Sequence, residues 1–351
     1  MNFDFSDDQQ AIKRTAKDLL ATRFSPERVR ELADAGDPQG DPPGIRPRYD
    51  ENVWSELGEL GWPGIFIDEE HGGQGLGAVE LIILMEELGY ALAPLPFLSN
   101  AAAGLVLQHA GSDEQRERWL PGIASGEARG TVGVGAGGEP PLVPDADSAE
   151  LIVLLEADSG TVVEASAAEV EPLETIDATR RFDRVRADGG EPLGGDPGPA
   201  VDRIATAVAA ELVGVSQRAM EMAVEYARER KQFGRPIGSY QAVSHACAQM
   251  LLETEGARST TYWAAWCADA EPETLPLASS MAKAYASDAG WRVNASSLQV
   301  HGGIGFTWEH DLHFFLKRAK ADGRLYGSAR EHRERVAELC GLSRETAAAT
   351  S

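Results

Sequence analysis

Two short runs combine residue types suited to gripping a phosphorylated ligand. One is RKQFG at 230–234, with Arg228 just before it and Arg235-Pro236 just after; the other is QVHGGIG at 299–305. A guanidinium binds a diphosphate through paired, charge-assisted hydrogen bonds, and a neighbouring aromatic face packs on an adenosine. Glycines let the main chain approach a phosphate or ribose, and a Gln amide both donates and accepts. Each run alone has a plainer explanation. Cations gather at helix C-termini, where they meet the negative end of the dipole, and paired glycines end helices or make tight turns. His301 carries a ring that titrates near neutrality, and Glu309 and Asp311 put carboxylates a few residues further on.

Long helices must position these runs. From Val201 the apolar residues recur near every 3.6 positions up to RKQFG, a second helix starts after Pro236 and runs toward Trp266, and a third ends at Gly302-Gly303. A fourth includes HFFLKRAKADGR and is broken at Gly323, so four antiparallel helices over 199–342 would form a bundle. Ahead of them, Ser6-Asp7-Asp8-Gln9 reads as a capping box opening a helix. GDPQGDPPGIRPR at 36–48 breaks it, a second helix surrounds Trp54, Leu57 and Leu60, and another lies in SDEQRERWLPGIASGE at 112–127. Between Thr131 and Gly198 the runs TVGVGA, ELIVLLEA and GTVVEAS read as short strands. The expected division is a helical domain over 1–128, a small β-domain over 129–198, the bundle, and a polar tail at 343–351.

RKQFG, a glycine turn about seventy residues later and the intervening KAYASDAGWRVNASS together resemble the acyl-CoA dehydrogenase family, as does LGWPGIFIDEEHGGQGLGAVELIILMEELGY at 60–90. The resemblance covers nearly the whole chain and implies a mostly α fold with a small β-domain. It also implies FAD as cofactor, an acyl-CoA substrate and an electron-transfer acceptor. It assigns the adenosine-diphosphate part of FAD to Arg230 and Phe233, reaching across a subunit contact, with Gln232 as a weaker polar contact. Gln299, Gly302 and Gly303 form the second half of that site. It makes His301 a packing residue and Glu309 a structural acid. The glycine loop EEHGGQGLG lacks the pattern of a phosphate-binding loop and receives no site.

The departures carry as much weight. The family's catalytic carboxylate falls at Tyr326, a phenol whose pKa near 10 makes it a poor base at neutral pH. A second family location for the base falls at Ile204, beside Ala205. Asp202 is two residues from it, about 200° around a helix, so an N-cap role is the more economical one. The flavin-facing Thr-Glu-Pro-Gly-Ala-Gly-Ser-Asp loop and Trp-x-Thr-Asn/Ser strand are absent, and only GAGGEPPLVPDADSAE separates TVGV from LIVLLEA, so the β-domain is expected to be reduced by a hairpin. The expectation is a base-lacking subunit of a heteromeric dehydrogenase, resembling those that act on steroid side chains, with a second dehydrogenase-like subunit as partner. The alternatives are an independent flavoenzyme using Asp202, and a non-catalytic assembly subunit.

Composition narrows the partners. A net charge of −24 argues against nucleic acid and anionic membranes, both of which need a basic footprint. Positive charge is concentrated at Arg228, Arg230, Lys231 and Arg235, and again at Lys317, Arg318, Lys320 and Arg324. Cys247, Cys267 and Cys340 show no metal or disulfide spacing and read as buried free thiols. MNFDFSDDQQ shows no basic or apolar leader region, so the expected location is the cytoplasm.

Overall fold

The computed structural model describes residues 5–34, 47–135, 141–156 and 159–342. Most of the helix-breaking stretch expected at 36–48, residues 136–140 and the tail expected at 343–351 lie outside the described residues. Two compact units divide the chain: Met1–Leu84 with Ala93–Ile204, and Met85–Leu92 with Ala205–Ser351.

In the first unit, helices α1 (Asp7–Arg23), α2 (Pro26–Asp34) and α3 (Glu51–Glu59) precede α4 (Ala78–Ala91), which enters the second unit at Met85. Helices α5 (Phe97–Ala110) and α6 (Asp113–Ser125) follow. The starts of α1 and α6 are set by capping boxes, Ser6 with Gln9 and Ser112 with Gln115, which satisfy amides that a helix leaves unpaired. Helix α5 is buried on nearly every side from Phe97 to Leu107, as an all-round apolar helix must be.

The β-region holds two sheets. Strands β1 (Gly130–Val134), β3 (Leu151–Glu156), β4 (Ser159–Glu164) and β7 (Glu191–Pro192) form one, with β1 parallel to β3 in the register Val132 to Val153. Strands β2 (Leu142–Pro144), β6 (Phe182–Arg186) and β5 (Glu169–Leu173) form an antiparallel second. Val143, Ala146, Ile152 and Val185 make a small core among these strands. The sequence runs match β1, β3 and β4; β5 to β7 are short and carry charges, and give little alternation to read.

The second unit is helical and carries most of α7 (Gly198–Glu229), a two-stranded hairpin of β8 (Lys231–Gln232) and β9 (Arg235–Pro236), α8 (Gln241–Ala270) and α9 (Leu275–His301). Helices α10 (Leu312–Asp322) and α11 (Ala329–Leu339) complete it. Gly323 ends α10 as its C-cap, and a capping box of Ser328 with Glu331 starts α11, so the break expected at Gly323 is a boundary between two helices. The backbones of α4 and α7 cross closely. A Cβ on Gly214 would lie 1.9 Å from the Glu86 carbonyl oxygen, and one on Gly89 would lie 2.2 Å from that of Glu211. Gly214→Ala is therefore expected to destabilise by about 2 kcal/mol despite alanine's higher helix propensity, because two main chains must separate. A denaturant titration giving a stability equal to wild type would contradict that.

No helix among the described residues is long and apolar enough to cross a membrane. Cys267 is buried, Cys247 half-buried and Cys340 exposed, so the expectation of three buried thiols holds for one of them.

Candidate functional site

The RKQFG run is a β-hairpin and not only a helix end. Helix α7 stops at Glu229, Lys231 pairs with Pro236 and Gln232 with Arg235, and Phe233-Gly234 form the two-residue turn. Both turn residues have positive φ, 53° and 81°, the conformation that matches a tight turn to the twist of its strands. Glycine adopts this freely, whereas Phe233 does so under strain, at a cost of order 1–3 kcal/mol. The result is an aromatic ring that is 93% exposed, with the Tyr240 ring edge-on to it at 6.4 Å. The Arg235 guanidinium lies over Tyr240 at 4.1 Å, and the Tyr240 hydroxyl donates to the Gln232 carbonyl over 3.1 Å. The Gln232 side chain donates to the Lys231 carbonyl over 2.9 Å, which occupies part of its capacity. Arg228, Arg230 and Lys231 are exposed, and no carboxylate among the described residues pairs with them.

The glycine turn closes α9. Gly302 takes φ 62° and ψ −139°, a region open essentially to glycine alone, and its amide donates to the Gln299 and Leu298 carbonyls. Gly303 is exposed and no atom lies within 4 Å of where its Cβ would be, so its main chain faces open space. Gln299 is also exposed. The second cation cluster is split between core and surface. Arg318 is 1% exposed and ion-paired with buried Glu211 at 2.5 Å, while Lys317 and Lys320 lie over the rings of Trp308 and Trp291 at 4.4 and 4.8 Å.

His301 is buried and structural. Its Nδ1 lies 2.8 Å from the Ser297 carbonyl, which only accepts, so Nδ1 carries the proton and Nε2 does not. Burial holds its pKa below the usual imidazole value, with the Ser297 bond opposing in part. Its ring stacks on Tyr226 at 4.7 Å between centroids and meets His310 at 4.5 Å. The Tyr226 main-chain carbonyl accepts the Arg230 amide over 2.9 Å at the end of α7. The two ligand-type runs, far apart in sequence, are thus brought together through Tyr226, which sequence reading passed over because an aromatic on an amphipathic helix reads as core.

Tyr326 lies between α10 and α11, nearly buried at 9% exposure, with φ 54°. Its carbonyl lies 3.0 Å from His332 Nε2. Beside it Lys283 is fully buried and donates from Nζ to the Asp322 carbonyl at 3.0 Å and the Gly327 carbonyl at 2.9 Å, with Ser287 Oγ at 3.2 Å. Burial lowers the Lys283 pKa to about 7, against the opposing pull of Asp322 and Glu331. A lone Lys inside an apolar helix gave no functional signal in the sequence.

Asp202 is 1% exposed and is the fifth residue of α7, so it is not the N-cap. Asp196 takes that kind of role, accepting the Gly198 amide over 2.8 Å. Asp202 belongs to the first compact unit, whereas Arg230, Gln299 and Tyr326 belong to the second. Ile204 and Ala205 are fully buried and apolar. Glu309 is exposed and Asp311 half-buried, just before α10. No group of three metal-type ligands exists among the described residues.

Comparison with known proteins agrees along most of the chain. A profile of the acyl-CoA dehydrogenase N-terminal domain matches residues 6–127, and one of the acyl-CoA dehydrogenase C-terminal domain matches residues 200–340. Acyl-CoA dehydrogenase IpdE2 of Mycobacterium tuberculosis is 35% identical over 328 residues, 93% of this chain and 95% of its own. Among solved structures, a Tcur3481-Tcur3483 steroid ACAD variant superposes with a TM-score of 0.84 at 27% identity, covering 97% of this chain and 99% of that one. The ChsE4-ChsE5 complex from Mycobacterium tuberculosis gives 0.83 at 24% identity, covering 98% and 100%.

Proposed function

We propose, from the premise that this chain belongs to the acyl-CoA dehydrogenase family, that it is the subunit of a heteromeric enzyme that grips the distal part of FAD and leaves proton abstraction to a partner. The family is one of flavoprotein oxidoreductases acting on acyl-CoA thioesters, and this chain is an oxidoreductase of that class. Bound FAD supplies the acceptor for the hydride equivalent that leaves the substrate's β-carbon. The removal of the α-proton requires an oriented base. One observation carries the reading: position 326 holds a nearly buried phenol where the resemblance places a carboxylate.

The residues fit a dinucleotide tail. Arg230 is exposed, Phe233 offers a free aromatic face, Gln299 offers an amide, and the bare main chain at Gly303 has room for a phosphate. Asp202, the alternative base, is buried inside a helix. A steroid side-chain thioester is the substrate class we favour, because a heteromeric pair named as a steroid ACAD is similar to this chain over nearly its full length. The partner is a second dehydrogenase-like subunit that supplies the base and the isoalloxazine cradle, and the complex passes its electrons to a separate electron-transfer acceptor.

The purified chain alone, supplied with FAD, is expected to show no reduction of flavin on adding acyl-CoA and to hold flavin below one equivalent. Co-expression with a partner that carries a base restores both. Full turnover by the isolated chain at the rate of intact relatives overturns the reading in favour of an independent enzyme.

A further inference from the structure

The hairpin after α7 and the turn after α9 share one aromatic column. Tyr226 lies one helical turn before Arg230, whose amide donates to the Tyr226 main-chain carbonyl over 2.9 Å, so the last turn of α7 carries the position of this residue into the hairpin. Its ring stacks at 4.7 Å and 27° on His301, which immediately precedes Gly302. His310 abuts the same imidazole at 4.5 Å and 61°, and its Nδ1 accepts the Leu312 amide over 3.2 Å at the start of α10. The Ser297 carbonyl fixes the imidazole from its own helix over 2.8 Å. Gly305 packs its bare backbone against this residue, since a Cβ there would stand 3.0 Å from the His301 Cβ.

We propose that Tyr226, acting through His301, is the positioning residue that holds Arg230 and Phe233 in register with Gln299 and Gly303. Both loops are exposed and glycine-containing, so without a rigid tie each would sample its own range of positions. A pair of grips fixed in advance spares the ligand the cost of ordering them. Stacked rings suit this role because each has only two χ angles to hold in place. The Tyr226 hydroxyl is not part of the tie, so phenylalanine should substitute and an aliphatic side chain of similar bulk should not. The inference rests on the functional reading only for the identity of the ligand.

Hydrogen exchange on the full chain tests the tie directly. Tyr226→Leu is expected to speed amide exchange about tenfold in both 230–236 and 300–306, at a melting temperature close to wild type, while Tyr226→Phe matches wild type in both segments. His301→Leu reads the same column from its other end and should loosen 230–236; it serves also if Tyr226→Leu does not fold. Unchanged exchange in 300–306 for Tyr226→Leu, or in 230–236 for His301→Leu, overturns the proposal, as does a Tyr226→Phe that behaves like Leu. Ligand-observed NMR with ADP supplies the second readout. Binding should weaken about tenfold in Tyr226→Leu and in Arg230→Ala. ADP binding that is absent from wild type or indifferent to Arg230→Ala sinks the functional reading and the ligand role together. Arg230-dependent binding that Tyr226→Leu leaves intact sinks this inference alone.

Discussion

Arg230→Ala is expected to strip flavin from the complex formed with the partner subunit, lowering FAD affinity about 10- to 100-fold. A hydrogen bond to a charged group contributes roughly 1.5–3 kcal/mol, and each 1.4 kcal/mol is a factor of ten. The residue is exposed and pairs with no carboxylate among the described residues, so its removal breaks no internal bond of its side chain and the fold should survive. Arg230→Lys should recover only part of the loss, since an ammonium keeps the charge and lacks the planar fork. Absorbance at the flavin band after gel filtration, set against the melting temperature of the same sample, gives the result. A mutant complex with wild-type flavin content and turnover would leave the chain as an assembly subunit.

The largest effect on stability is expected at Lys283. Replacing it with Met removes the donors that satisfy the Asp322 and Gly327 carbonyls in a fully buried place. Each orphaned acceptor costs about 1–3 kcal/mol, so Lys283→Met should lose about 2–6 kcal/mol and free the turn that contains Tyr326. The pH dependence has a definite sign. Lys283 ionises near 7 when folded and near 10.5 when unfolded. Between those values the unfolded chain holds a proton that the folded chain has released. This group therefore makes the protein more stable as pH rises from 7 toward 10, and the wild type should gain on Lys283→Met across that window. Chemical denaturation of both proteins at pH 6.5 and 9.5 checks it; a gap that narrows with rising pH would contradict the burial of the amine. The neutral amine still has two hydrogens to donate to the two carbonyls.

What was legible in the sequence was local. Ser6 with Gln9 announced a helix start because side chains three residues apart satisfy one another's amides, and Gly302 announced a helix end because its backbone conformation excludes other residues. The mostly helical fold with its small sheet region, and the family, followed from many such signals together with two motifs at a fixed separation. What was not legible depends on distant partners. Arg318 looked like one cation in a surface cluster until Glu211, 107 positions away, was seen to pair with it in the core. Tyr226 and Lys283 sit at ordinary helical positions, and only the packing of α9 against its neighbours gives them a purpose. The RKQFG hairpin escaped for a different reason: its two-residue turn uses Phe in a conformation that favours glycine or asparagine.

The left-handed backbone at Phe233, shared with Tyr326, bears on how this protein could be engineered. At exposed Phe233 asparagine or glycine would relieve a torsional burden and raise thermal tolerance, whereas at Tyr326 the same change would empty a nearly buried place and lose more than it gains. At residue 233 that gain discards the ring offered to the nucleotide. A selection for heat resistance alone would thus drift toward sturdier chains with emptier hands, and libraries aimed at durability should leave residue 233 unvaried.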